Sequence, residues 1–325
     1  MEPYKLSIVI PSFNRAPFLR ECLDSIFQSA EGFESFVEVL VSDNHSTDST
    51  QEVLAAYTGR KLSLRGFRPS AHIPAESNFR FAAENASGKY IWIVGDDDKL
   101  ERQALAQVLP RLDADAAAFI LNFSIWDNHL QKRLKPRFHS LLSDTVFEKP
   151  DDLMKTFGLS IGLISSVVIK KDVFFALSSE EYFKYVEYGF PFVYAVYYGL
   201  LPDKKAVYLS EPLVINRAGN SGNYDWYKFF VAGSSLIFDQ LNQCGYRRSS
   251  TVNAKYAVIN RYVFTTVLSH KRNGANLTGV FPLLLKHYYG SARFWFLLVP
   301  ELVAPGFLLR WAWSFYHKFV KNGAI

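Results

Sequence analysis

Residues 88–98 read Gly-Lys-Tyr-Ile-Trp-Ile-Val-Gly-Asp-Asp-Asp, and this stretch constrains the fold more than any other. Tyr90 to Val94 is a short apolar run of β-branched and aromatic residues, the length of one buried strand. It stops at Gly95 and then, at once, at three carboxylates. Adjacent aspartates repel unless they are solvated or bridged by a cation, and hard divalent cations prefer oxygen ligands. The end of a buried strand is also where open α/β sheets bind ligands. Two readings stand at this point: a metal site, or Asp97 or Asp98 capping a helix that begins near Leu100.

The preceding residues repeat the pattern. Lys5 to Ile10 reads as a buried strand closed by Pro11-Ser-Phe-Asn14, and Arg15 to Gln28 carries apolar residues at helical spacing. Phe36 to Val41 is a second strand, ending in Ser42-Asp-Asn-His-Ser-Thr-Asp48 before a helix from Ser49 to Tyr57. Leu62 to Phe67 is expected as a third strand and Asn78 to Ala86 as a helix. Strands alternating with helices at this spacing imply right-handed crossovers and a largely parallel, Rossmann-like α/β sheet flanked by helices. In such a sheet the strand ends share one edge, so Ser12 and Asn14, Asp43 and Asn44, and Asp96 to Asp98 would line one crevice.

That crevice suits a nucleotide. Asp43 can accept from a base imide or amine, Ser12 and Asn14 can meet base or ribose, and a carboxylate-held cation would neutralise a diphosphate. Asp48 reads as a helix cap. No Walker A loop and no Gly-x-Gly-x-x-Gly follows the first strand, so the common NTPase and dinucleotide fingerprints are absent.

In this order and spacing, Ser7-Ile-Val-Ile-Pro-Ser-Phe-Asn-Arg15, Val41-Ser-Asp-Asn-His-Ser-Thr-Asp48 and residues 88–98 resemble family-two glycosyltransferases of the GT-A fold. The wording from Asn78 through Asp98 is most similar to the bacterial branch that includes abequosyltransferases of O-antigen synthesis. The likeness is strong over residues 5–110, weaker to about 220, and lost beyond. It implies an inverting transfer from a nucleotide-sugar donor (UDP, CDP or dTDP) to a lipid-linked glycan, with Mg²⁺ or Mn²⁺ on the diphosphate. Carried onto this chain, Pro11, Ser12, Asn14, Arg15 and Asp43 would hold the nucleoside, Asp96 the ribose, and Asp97 and Asp98 the metal. The family's Asp-x-Asp-Asp has Gly95 at its first position here, and its Ala-Arg-Asn falls near Asn78-Phe-Arg80, one place out of register. Asn78 and Arg80 are therefore expected to face the nucleotide.

Further on, Leu100 to Leu112 reads as a helix, Ala116 to Phe123 as a strand, Gln131 to Pro150 as a basic loop, and Leu159 to Ile169 as a buried strand. Inversion requires a base for the acceptor hydroxyl. By position in the family this falls on Glu187, before the apolar helix Pro191 to Leu200, with Glu180 and Glu181 as alternatives. Val207 to Arg217 resembles the strand that closes the family's catalytic core, followed by a glycine-containing loop, residues 218–224, that would close over the substrates. Relatives often place a metal-binding His there; this chain has none. The expected layout is a catalytic domain over 1–222, with a nucleotide half (1–115) and an acceptor half (116–222), then a helical region over 223–325.

Charge separates the same regions. Residues 204–325 hold 15 Lys/Arg against 4 Asp/Glu, and the rest 21 against 27, so a net charge of +5 hides +11 at one end and −6 at the other. No zinc-finger, helix-turn-helix or glycine-rich RNA-binding signature accompanies the basic end, which excludes nucleic acid as the favoured partner. Residues 281–321 are aromatic and basic, with Pro300, Glu301, Pro305 and Arg310 interrupting any straight span. They are expected to lie on a membrane surface. Packing on the core or an oligomer interface is the alternative use of the same aromatics. Cys22 and Cys244 make no disulfide framework, and the N-terminus shows no signal-peptide pattern. The expected location is thus cytoplasmic, peripheral on the inner face of the plasma membrane. Two other functions stay open on sequence: a nucleotidyltransferase, and a non-catalytic nucleotide- or glycan-binding module of the same fold.

Overall fold

The expected apolar runs of the first hundred residues form strands, and the first three are each followed by a helix. A computed structural model describes residues 4–219, 225–275, 277 and 279–304. Its first elements are β1 (Leu6–Ser12), α1 (Ala16–Ser29), β2 (Val37–Asp43), α2 (Thr50–Ala55), β3 (Ser63–Phe67), α3 (Ala75–Glu84) and β4 (Tyr90–Ile93). β1 pairs in parallel with β2 on one side and β4 on the other, in a register that sets Ser12 beside Asp43 and Val9 beside Ile93. The three polar clusters therefore emerge at the same edge. β1, β2 and β4 are buried along their whole length, and α1 turns Leu19, Cys22, Leu23 and Ile26 inward. Each such side chain contributes about 1.5–3 kcal/mol of burial.

At the opposite edge, buried Glu38 accepts from the Ser7 hydroxyl (2.5 Å) and the Ser87 amide (2.6 Å), and the Gly88 amide donates to Ser7 Oγ (2.8 Å). A Cβ on Gly88 would stand 2.8 Å from the Ser7 nitrogen and 2.9 Å from the Leu6 carbonyl carbon. The glycine is needed for this approach of two backbones.

The chain continues with β5 (Lys99–Leu100), α4 (Ala104–Arg111), β6 (Ala118–Trp126), β7 (Arg133–Lys135), β8 (Thr145–Phe147), α5 (Pro150–Phe157), β9 (Val167–Lys170), α6 (Lys171–Phe174), α7 (Ser179–Lys184), α8 (Pro191–Gly199) and β10 (Ala206–Arg217). The sheet runs β3-β2-β1-β4-β9-β6-β10-β5, with β7 on β6 and β8 on β10. β9 is antiparallel to both β4 and β6, so the sheet reverses where the first half ends.

Three sequence expectations are corrected here. The helix expected from Leu100 starts at Ala104, because Leu100 pairs with Val214 of β10 and its amide bonds Ser25 Oγ at 3.0 Å. The strand expected over Leu159–Ile169 is reduced to β9. Its first part is two 3-10 turns, held by Ser160 and Ser166 hydroxyls bonding carbonyls three residues back, a local competition with strand pairing. The expected loop at 131–150 contains β7 and β8.

The chain divides into two compact units, residues 1–223 and 224–325. The second unit is helical: α9 (Ser234–Gln243), α10 (Arg248–Val258), α11 (Phe264–Arg272), α12 (Val280–Tyr288) and α13 (Val299–Val303), with π-helical turns at 228–233, 259–263 and 294–298. Among the described residues no helix is long and apolar enough to cross a membrane. The expected glycine loop beyond Gly219, and the tail beyond Ala304, lie outside the described residues.

Candidate active site

The turn after β1 is fastened to the turn after β2. Asn14, at a positive φ of 53°, donates its amide to Ser46 Oγ at 2.8 Å and accepts the Thr47 amide on Oδ1 at 2.7 Å. Asp48 accepts the Ala16 amide (2.9 Å) at the start of α1 and the Thr50 amide (3.1 Å) at the start of α2. This is the capping role its position predicts. Phe13, 43% exposed, stands against His72 with ring centroids 4.6 Å apart.

Asp43 is buried at the end of β2. Its Oδ1 accepts the Ser46 amide at 2.9 Å, and Oδ2 accepts Gln51 Nε2 (2.5 Å) and both Nε (2.9 Å) and Nη2 (2.6 Å) of Arg68. Burial alone would raise its pKa, but the bonds from Ser46, Arg68 and Gln51 hold the carboxyl below its ordinary value.

The acidic loop after β4 is a tight turn, Asp98 N–H bonding the Gly95 carbonyl at 3.1 Å. Its three carboxylates have different surroundings. Asp96 accepts Ser12 Oγ at 2.7 Å and Arg15 Nη1 at 3.3 Å. Arg15 Nη1 also reaches Asp97 Oδ2 at 3.0 Å. Asp98 is turned away: Oδ2 accepts Ser165 Oγ at 2.6 Å, and Oδ1 accepts Asn216 Nδ2 (2.9 Å) and the Arg217 amide (3.3 Å). Burial pushes Asp96 up to about 6 against the pull of Arg15, and burial with the Asp97 charge pushes Asp98 up to about 7. Arg217 closes the loop from behind, donating to the Asp97 carbonyl (3.1 Å), the Asn128 carbonyl (2.6 Å) and Glu21 (2.6 Å).

A crevice of about 370 Å³ opens on this edge, lined by Pro11, Ser12, Phe13, Arg15, Asn44, Ala75, Asn78, Phe79, Gly95, Asp96, Asp97 and Ile164. A larger depression of about 720 Å³ beside α1 and β5 shares none of these residues and mixes carboxylates with cations. The strand-end crevice thus gathers Pro11, Ser12, Arg15, Asn78, Asp96 and Asp97, as the sequence predicts. Asn14 and Asp43 stand behind it as supports. Asn78 reaches it with its amide already engaged, accepting Ser42 Oγ at 2.6 Å and donating to the Ser42 carbonyl at 3.2 Å.

Two expected site residues are corrected. Arg80 does not face the nucleotide crevice: its guanidinium lies over Phe175 and Tyr182 (5.0 and 5.2 Å) and donates to the Leu177 carbonyl at 3.1 Å. The contact of α3 with α7, where Tyr182 Oη donates to the Glu76 carbonyl at 3.0 Å, places that aromatic seat beside it. Asp98 is not placed as a metal ligand, since it is turned behind the acidic loop, outside the crevice lining, onto Ser165, Asn216 and the Arg217 amide; nor does it cap a helix. Glu187 is exposed on a 3-10 turn, Val186–Tyr188, outside the crevice lining. The residues that sequence reasoning missed are Phe13 and Phe79 on the walls, Arg68 and Gln51 on Asp43, and Ser165, Asn216 and Arg217 behind the acidic loop. Phe13 and Phe79 lie inside the Pro-Ser-Phe-Asn and Asn78-Phe-Arg80 runs, Gln51 in the helix after Asp43, and Asn216 and Arg217 at the end of the closing strand, while Arg68 and Ser165 come from segments that only the fold brings in.

Among the described residues no group of three or more His, Cys, Asp or Glu is arranged to hold a metal alone. Asp97, partly exposed on the crevice wall, and the more buried Asp96 beside it are a partial donor set of carboxylate oxygens of the kind a Mg²⁺ or Mn²⁺ completes with substrate phosphates and water. The residues fit a cation delivered with a diphosphate.

The sequence model described as Glycosyl transferase family 2 matches residues 7–174. The abequosyltransferase RfbV of Salmonella typhimurium is 30% identical over 226 residues, covering 66% of this chain and 67% of that protein. The GalNAc(5)-diNAcBac-PP-undecaprenol beta-1,3-glucosyltransferase of Campylobacter jejuni is 27% identical over 156 residues, 47% of this chain and 49% of its own length. Among solved structures, residues 1–349 of S. aureus TarS match with a TM-score of 0.62 at 14% identity, covering 87% of this chain and 78% of that one. The same fragment in complex with UDP-GlcNAc matches with a TM-score of 0.59 at 16% identity, covering 79% and 72%. At such identities the structural likeness shows the fold, which is that of the GT-A glycosyltransferases.

Proposed function

The chain belongs to glycosyl transferase family 2, and we propose that it transfers a sugar, with inversion, from a nucleoside-diphosphate sugar to a lipid-linked glycan in bacterial surface polysaccharide synthesis. The observation that carries the reading is the convergence of Ser12, Arg15, Asp96 and Asp97 on one crevice at the strand ends. Phe13 and Pro11 offer apolar wall for the nucleoside. Asp43, behind the crevice wall, accepts from the base only once the base displaces Arg68, its partly exposed partner. Asp96, held by Ser12, accepts a ribose hydroxyl. Arg15 bridges Asp96 and Asp97 and is placed to turn its charge to the diphosphate. Asp97, with Asp96 beside it, would hold a Mg²⁺ or Mn²⁺ ion, which would supply further positive charge to the departing diphosphate.

The acceptor oxygen attacks the anomeric carbon from the far face, the bond to the diphosphate oxygen breaks, and the acceptor proton passes to Glu187 as general base. The lipid-linked acceptor is supported by the name of the Campylobacter jejuni relative, and the donor is a UDP-, CDP- or dTDP-sugar. The test is turnover of these donors with a polyprenyl-diphosphate glycan, for the native chain and for Glu187→Gln. That variant is expected to bind nucleotide normally and to lose about two to four orders of magnitude in turnover. Near-normal turnover would move the base elsewhere, with Glu181 and Glu180 next. Absence of turnover in the native chain with every donor, alongside normal nucleotide binding, would return the reading to a binding module.

A further inference from the structure

The last described helical segment, 292–303, is apolar on the outside. Phe294, Leu298 and Glu301, spaced i, i+4, i+7, are buried, which makes them the inward stripe. The outward positions hold Arg293, Phe296 (80% exposed) and Val303 (71% exposed), with Trp295 (47%) beside them. Tyr289, 68% exposed at the end of α12, adjoins them, since Trp295 Nε1 donates to the Tyr289 carbonyl at 2.7 Å. Single exposed apolar side chains are ordinary, but a run of exposed bulky residues on one short segment marks an interaction surface.

The charges of this unit indicate its partner. Residues 225–304 contain nine Lys/Arg against three Asp/Glu, and Lys286 and Arg293 are exposed at the edge of the aromatic face. The segment's one acid, Glu301, is turned inward and 5% exposed, so the outward face carries no negative charge. Tryptophan and tyrosine favour the headgroup region of a bilayer, where an apolar ring body and a polar tip are both satisfied. A surface that combines such rings with flanking cations and excludes acids complements an anionic lipid interface.

We infer that the outward face of residues 286–303, through Tyr289, Trp295, Phe296 and Val303 with Lys286 and Arg293, docks on an anionic bilayer surface. The segment lies in the interface and does not cross it. The aromatic side chains enter the headgroup boundary and the two cations pair with lipid phosphates. The inference is independent of the transfer reaction, because none of these residues belongs to the crevice.

The test is flotation of the full chain with vesicles of phosphatidylcholine alone or with added phosphatidylglycerol, at low and high salt. The native chain is expected to float with the anionic vesicles at low salt and to be released by salt. In the full chain, Phe296→Ser with Val303→Ser should reduce partitioning at least about tenfold, and Arg293→Gln about fivefold on anionic vesicles only. Circular dichroism melts of the variants, expected to match the native chain, check that these exposed substitutions leave the fold intact. The inference is overturned if the native chain ignores anionic vesicles at low salt, or if the double variant floats as well as the native chain. It is equally overturned if the double variant only abolishes self-association in sedimentation, which would make the face a contact between copies, or if it only abolishes capture of an acidic protein.

Discussion

Ser165 and Asp98, 67 residues apart, are joined by a 2.6 Å hydrogen bond, and the Gly95 amide donates to the same Ser165 hydroxyl at 2.8 Å. One side chain thus fixes both ends of the acidic turn. The turn's conformation is set from β9's side of the sheet, and Asp97 is left to face the crevice because Asp98 has been drawn behind it.

Ser165→Ala removes a donor from Asp98 and an acceptor from Gly95. The expected cost is about 1–3 kcal/mol, a drop in melting temperature of roughly 2–4 °C for each kcal/mol in a domain of this size. Nucleotide binding should weaken as well, through misplacement of Asp96 and Asp97. A variant that melts with the native chain would show that the turn is held by other contacts.

Asp97→Asn should separate cation binding from folding. The side chain keeps its shape and its place beside Arg15, so the melting temperature without ligand stays close to native. The added stabilisation by nucleoside diphosphate with Mn²⁺, measured as a thermal shift, should fall to that seen without metal. Asp98→Asn is expected to do the reverse, lowering the melting temperature first. If Asp97→Asn retains the full metal-dependent shift, the ligand assignment is wrong.

Asp43→Ala acts on the base and not on the diphosphate. Loss of a charge-assisted hydrogen bond is worth about 1.5–3 kcal/mol, so affinity for the free nucleoside, with no metal present, should fall roughly 10- to 100-fold by calorimetry. Unchanged nucleoside affinity would leave Asp43 as a purely structural anchor for Arg68 and Gln51.

The strands were legible because their runs are short, apolar and closed by polar residues; Ser12, Asp43 and Asp96 follow from counting to the end of each run. Arg80 departs from the crevice because Phe175 and Tyr182, about a hundred residues on, seat its guanidinium, a contact that sequence register does not reveal. Leu159 to Ile169 looked like one strand because hydropathy does not register serines that bond back to the chain, as Ser160 and Ser166 do. Leu100 left its expected helix for an antiparallel partner more than a hundred residues away. In each case a distant contact, or a local side-chain bond, overrode the pattern of apolar residues.

The last prediction concerns pH and the second unit. Glu301 is buried, and burial pushes its carboxyl up to about 8, with Lys271 opposing the shift. Lys271 does not pair with the carboxylate; its Nζ donates to the Glu301 backbone carbonyl at 2.7 Å. Tyr227 is raised by its own burial and by the same acid. The folded state thus holds a proton on Glu301 that the unfolded state gives up near pH 4.5. Its contribution is fully present below that pH and is lost as pH rises through about 8, with a slope of up to about 1.4 kcal/mol per pH unit within the window. Glu301→Gln is neutral in both states and should flatten this fall, read as denaturant midpoints between pH 5 and pH 8.5. Equal slopes for the native chain and the variant would mean that Glu301 is ionised in the folded protein.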